Sequence, residues 1–180
     1  MKKSWIICLL LSAFSCNPYN PYYFTHYHIT AAYDPATTSL TASVQIVLVA
    51  EQDYHDSIIF RLKESLEILS LTAQELKSYE FDRGSLVLYL KNAIMTGDQI
   101  HISLAYKGMI GKGPGNGALP TPDRLWYPVN PGIDKLTCSV ELELPEQYIL
   151  GEPWIRKRRS WYWGSEKPLD AIILPLGTES

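Results

Sequence analysis

Four histidines, one basic run and a group of tryptophans are the residues of this chain with the most chemistry to offer. The histidines are His26, His28, His55 and His101. None is followed by Glu, which excludes the H-E-x-x-H helix that pairs two zinc-binding imidazoles with a general base. His26 and His28 are two apart and would share one face of a strand. A metal site needs a third or fourth ligand, and none is identifiable, so both read as surface or hydrogen-bonded imidazoles. The run GKGPGNG (Gly111 to Gly117) looks like a phosphate loop at a glance. Its Lys is early, a Pro interrupts it and no helix follows, so it reads as a surface loop. No Ser sits in a G-x-S-x-G elbow, and no nucleophile–base pair is evident. The residues therefore predict no catalytic group, no metal and no cofactor on this chain.

The basic run is Arg156 to Arg159, RKRR. It reads as a solvated hairpin tip, with contact to anionic lipid headgroups as the alternative. Trp154, Trp161 and Trp163 lie beside it. Trp161 and Trp163 share a strand face, so this group is a possible binding surface for a sugar or a peptide. Core packing is the other reading.

The elements that must position these residues are almost all strands. The 180 residues suit one domain, or one domain plus a leader. Twelve Tyr and five Trp favour strands over helices. Phe24 to Tyr33 reads as a strand that ends in the Asp-Pro turn DPATTS. Leu40 to Glu51 alternates, with Leu40, Ala42, Val44, Ile46 and Leu48 on one face and Thr41, Ser43 and Gln45 on the other. Val47 and Val49 break the polar face, which predicts cover on both sides of its far half. Further strands are expected over Ser57 to Leu62, Leu66 to Thr72, Leu76 to Phe81, Ser85 to Lys91 and Ile100 to Lys107. The DRG between Phe81 and Ser85 reads as a hairpin turn. A long loop from Gly108 to Asp123 follows, with five glycines and three prolines. The next strand puts Cys138, Val140, Leu142 and Leu144 inward. Ser160 to Trp163 and Ala171 to Leu176 are expected to form a last hairpin. No segment keeps a helical period, and no internal repeat or second domain is evident. The fold class expected is all-β, an antiparallel β-sandwich or saddle-like sheet.

The N-terminus reads differently. Lys2 and Lys3 precede an apolar run, Trp5 to Leu11, that is too short to span a bilayer as a mature helix. SAFSC then ends at Cys16, which resembles the bacterial lipobox, although Ala13 stands where Leu is usual. Residues 1–15 are read as a lipoprotein signal peptide that is cleaved, Cys16 as the lipidated residue and residues 16–23 as a tether. Without Lys2 and Lys3, 14 basic residues face 19 acidic ones, a net charge of −5. That balance does not suggest a nucleic-acid binder. Cys138 is left without a disulfide partner and reads as a buried, inert thiol. Asn17 follows Cys16, and in some Gram-negative bacteria such a residue permits sorting to the outer membrane. The expected location is the bacterial cell envelope, lipid-anchored, at the outer membrane.

Several stretches in order resemble the N-terminal β-domain of M1-family zinc metallopeptidases. THYHITAAYDPATTSLTASVQIVLVA is similar to that domain's first two strands. GDQIHISLAYKGMI is similar to its G-x-x-x-x-I-x-Y-x-G strand. The sharpest match is RLWYPVNPGIDKLTCSVELELP, on which Arg124, Trp126, Tyr127, Pro128 and Lys135 fall on the family's pattern. The resemblance covers roughly residues 24 to 177. Val129 replaces the family's Cys and Asn130-Pro131-Gly132 its acidic turn. The acidic or amide residue that the family places before this motif has no counterpart, with only Asn116 and Asp123 nearby. The Gly-x-Met-x-Asn motif and the zinc helix belong to a following domain of the family.

The resemblance implies a structural role for those five residues and no hydrolysis by this chain, since zinc supplies the activated water in that family. It implies a lipid-anchored, non-catalytic β-domain of residues 24–180 that binds or docks a partner. The membrane is one partner, through Cys16; a separately encoded peptidase domain or another envelope protein is the second. The alternatives are the N-terminal portion of a split or truncated membrane-anchored zinc aminopeptidase, and a carbohydrate-binding β-sandwich.

Overall fold

A computed structural model of the chain describes residues 22–50, 57–110, 124–130, 136–169, 172 and 176–178. The expected signal peptide, Cys16 and most of the tether, His55, Lys135 and the Gly111 to Gly117 loop lie outside them.

The first strand, β1 (Tyr22–Asp34), ends where Asp34 accepts hydrogen bonds from the Ala36 amide and the Thr37 hydroxyl. This Asx-type turn is what the DPATTS sequence favours. β2 (Ser39–Ala50) returns antiparallel to β1, and its burial alternates residue by residue. Leu40, Ala42, Val44, Ile46 and Leu48 are buried, while Val47 and Val49 are half-buried on the opposite face. Then come β3 (Ser57–Arg61), β4 (Leu66–Ala73), β5 (Leu76–Asp82), β6 (Ser85–Leu90) and β7 (Gln99–Met109). β5 and β6 are joined by Arg83 and Gly84, at φ 46 and 77, with Asp82 paired to Ser85. Two successive positive φ values are what a tight hairpin requires, and Gly84 supplies one without strain. After a 3-10 turn (Arg124–Trp126) the remaining strands are β8 (Leu136–Glu143), β9 (Tyr148–Leu150), β10 (Ile155–Lys157), β11 (Ser160–Leu169) and β12 (Leu176–Thr178).

Seven strands form one sheet in the order β10-β11-β8-β1-β2-β7-β4. A three-stranded sheet, β3-β6-β5, shares its buried residues with the large sheet in one hydrophobic core. β9 and β12 make a small third ladder. All-β is therefore the class found, with one correction: the large sheet is mixed. β8 runs parallel to β1, with Tyr27 beside Cys138 and Ile29 beside Val140. A parallel partner needs a long connection, and the span from β7 to β8 provides it. Local alternation does not report strand direction, so the sequence pattern could not separate the two arrangements.

The expected last hairpin is also corrected. Ser160 to Trp163 begins β11, which pairs with β10 across the two-residue turn Arg158-Arg159 and with β8 on its other side. Leu176–Thr178 pairs instead with β9. β9 and β10 have three residues each, too short for a periodicity to register.

Candidate functional site

The aromatic motif before β8 joins the two main sheets. The Tyr106 hydroxyl, from β7 next to the β4 edge of the large sheet, donates to the Trp126 carbonyl at 2.9 Å. The Tyr127 ring meets Tyr27 of β1 edge-on at 5.9 Å and Trp126 at 5.2 Å. The Trp126 indole donates to the Ile172 carbonyl, and the Ile172 amide donates to the Tyr127 hydroxyl, each at 3.4 Å. On the other side, Val129 and Arg61 of β3 exchange backbone hydrogen bonds, and the Asn130 side chain donates to the Ile59 carbonyl at 3.0 Å. The Lys63 ammonium donates to the Ile110 carbonyl at 2.6 Å, and the Lys63 amide to the Leu125 carbonyl at 3.0 Å.

Trp126, Tyr127 and Pro128 are all buried. A phenol held in such a place resists ionisation, and burial is the main reason that the Tyr27 and Tyr106 hydroxyls are pushed well above their ordinary value. The motif thus works as a rigid crossover rather than as a surface. The residues that hold it, Tyr106, Lys63 and Asn130, do not stand out in the sequence. One signal was available, since a tyrosine on the apolar face of a strand must find a partner for its hydroxyl.

His26 and His28 do share one face, the one opposite the core. His28 Nδ1 lies 2.7 Å from the Ser139 hydroxyl. His26 Nε2 lies 3.1 Å from that same hydroxyl, and its Nδ1 3.2 Å from Thr137 Oγ1. These contacts link β1 to its parallel neighbour β8. Partial burial, and then the neighbouring His28, hold the His26 pKa below the ordinary 6.5. Among the described residues no three His, Cys, Asp or Glu side chains converge to hold a metal.

The tryptophan group divides. Trp161 and Trp163 pair with Leu142 and Val140, so they share the inner face of the sheet. Trp154 and Trp161 are buried, and Trp163 packs partly buried against the core, 5.6 Å from the Trp154 ring. Two of the three rings expected as a stacking platform are core residues, and their faces are covered. Cys138 is buried, and burial pushes its thiol up to about 11.

The basic run forms the turn between β10 and β11, with all four of its residues exposed. Two cations rest on aromatic faces: Arg156 lies 5.8 Å from the Trp161 ring centre and Lys157 5.4 Å from that of Tyr162. The Tyr162 hydroxyl donates to Glu141 at 2.7 Å. Two hollows elsewhere are lined by described residues. One, of about 170 Å³, is lined by Glu75, Asn92, Asp98 and neighbours; the other, of about 320 Å³, by Asp34, Ser39, Thr41 and Glu143 among others. Neither includes a histidine. On the outer face of the small sheet Ile59 is exposed beside its partner Val87.

No protein-family model and no curated protein matches the sequence. Solved structures do share its fold. The M1 zinc metallopeptidase from Deinococcus radiodurans superposes with a TM-score of 0.66 at 14% identity, over 83% of this chain and 40% of that one. A mutant of that peptidase bound to a Tyr-Ser-Ala substrate gives 0.65 at 13% identity with the same coverage. A mutant of a two-domain M1 zinc metallopeptidase bound to L-tryptophan gives the same values. The chain therefore spans about 40% of the length of the structures it matches. The likeness is one of fold, and it agrees with the β-domain that the sequence resembles.

Proposed function

We propose that the chain is a non-catalytic, lipid-anchored β-domain of the cell envelope that docks a partner, as an accessory domain does. The observation that carries this reading is the match itself. The domain superposes on part of a zinc peptidase, and its own best-matching motif is spent on internal packing. Trp126 and Tyr127 pack against the large sheet rather than face outward, and Val129 and Asn130 tie the same segment to the small sheet. Ile59 and Val87, side by side on the outer face of the small sheet, are the apolar residues suited to a partner.

A second reading is favoured by the coverage of the matched structures: the chain is the N-terminal part of a split or truncated membrane-anchored zinc aminopeptidase. The coding sequence beyond Ser180 separates the two. An adjacent frame with H-E-x-x-H would sink the stand-alone reading. Carbohydrate binding through the tryptophans is the weakest reading, because Trp154 and Trp161 are buried.

Anchoring has its own test. With Cys16→Ala, the chain should leave the membrane fraction or accumulate as the unprocessed precursor. Wild-type processing and membrane retention in that variant would refute lipid attachment at Cys16.

A further inference from the structure

We propose that the β10–β11 hairpin is a cationic foot that rests on an anionic lipid surface. Arg156, Lys157, Arg158 and Arg159 occupy its last residues and its turn, and all are exposed. Among the described residues no carboxylate forms an ion pair with Lys157, Arg158 or Arg159. Arg158 holds a left-handed conformation, φ 58, that glycine or asparagine would fit with less strain. A cation is kept there against the preference of the turn. Ile155, 61% exposed, precedes the run and can enter the headgroup layer. The whole chain, these four cations included, still carries a net charge of −3, so the hairpin is a local concentration of positive charge on an acidic protein.

The topology makes this contact compatible with the lipid proposed at Cys16, and the orientation rests on that reading. β10 and β11 form one edge of the large sheet, with β11 two strand positions from β1 and β10 three. Three strand spacings are roughly 14 Å. The six steps from Cys16 to Tyr22 reach up to about 20 Å when extended, enough to bring a lipid level with that edge. Along the sheet, Ser160 pairs with Glu143, which lies beside Ala32. Tyr22 is ten residues earlier on β1, roughly 33 Å away along the strand. The lipid and the basic turn would thus hold opposite ends of the same edge and lay it along the bilayer. A phosphate-bearing lipid surface fits a row of exposed cations next to one apolar side chain, and neither of the two hollows among the described residues is lined by them.

The full chain, purified from membranes in mild detergent, is reconstituted into phosphatidylcholine vesicles with or without phosphatidylglycerol. Brominated lipid in each reports the nearness of the tryptophans to the acyl chains, and of these Trp154, Trp161 and Trp163 lie at or beside the hairpin while Trp126 lies in the crossover. The expected result is stronger tryptophan quenching in the anionic vesicles, lost in 0.5 M NaCl at roughly a 4 Å screening length. It should also be lost in Lys157→Glu/Arg158→Glu/Arg159→Glu, whose melting temperature should match the wild type. Equal quenching in neutral and anionic vesicles, or quenching retained by the variant, would overturn the proposal. So would a variant-sensitive interaction with an acidic peptide or a nucleic acid in the absence of any lipid effect. Sedimentation with neutral vesicles reports the Cys16 lipid separately. Its absence alongside charge-dependent quenching would remove the anchor and leave the foot.

Discussion

Single side chains tie the crossover to the sheets. Tyr106 is the clearest case, because its buried hydroxyl satisfies a buried carbonyl of the crossover. Tyr106→Phe removes the donor and leaves the Trp126 carbonyl short of a partner. The expected loss is about 1–3 kcal/mol in urea unfolding, with the fold unchanged by circular dichroism. A loss near zero would mean that the contact carries little of the crossover's stability. His26 sets a pH dependence. Its folded pKa lies below the ordinary 6.5, so the unfolded chain binds a proton first as pH falls. Stability should therefore be complete above the unfolded value and decline as pH drops through 6.5 toward the folded value. Urea midpoints at pH 7.5 and 5.5 should differ, and His26→Gln should shrink the difference. An unchanged difference would assign the effect to other groups. The sequence showed that the two histidines share a face; it did not show that Ser139 sits between them. That hydroxyl is supplied by a strand more than a hundred residues away, in a parallel register that alternation does not encode.

At the level of elements, legibility followed periodicity. β2, β7 and β8 were readable to within a residue or two, because each alternates over eight residues or more with one face buried. The Arg83-Gly84 turn was readable from its residue types. The three-residue strands β9 and β10 were not, and missing β10 led to the wrong partner for β11. Gly108 shows how an element's end is fixed. It sits in β7 at φ 153, where an added Cβ would collide with the Ser65 backbone carbonyl. Gly108→Ala should destabilise the protein by about 1–3 kcal/mol, measured as a shift of the urea midpoint. The cost should persist in a background lacking the Leu66 side chain, since the obstacle is backbone. Full rescue in that background would point to side-chain crowding instead.

For the whole molecule, the fold was more legible than the role. Many weak matches in the right order pointed to the β-domain of a zinc peptidase, and the superposed structures agree on the fold at 13–14% identity. Several residues in the stretches that carry the resemblance make internal contacts. Trp126 and Tyr127 lock the crossover, Tyr106 donates to it and Gly108 lets β7 pass close to Ser65. Such roles depend on burial and can be anticipated from an apolar pattern. The proposed docking face has no comparable signature: Ile59 and Val87 are far apart in sequence and become neighbours on the outer face of the small sheet only once β3 and β6 pair. The proposed accessory role requires that this chain perform no chemistry by itself. The direct measurement is hydrolysis of amino-acid anilides by the purified chain supplied with stoichiometric zinc. The prediction is a rate equal to that of zinc and buffer alone. Zinc-dependent turnover that scales with protein concentration would contradict it.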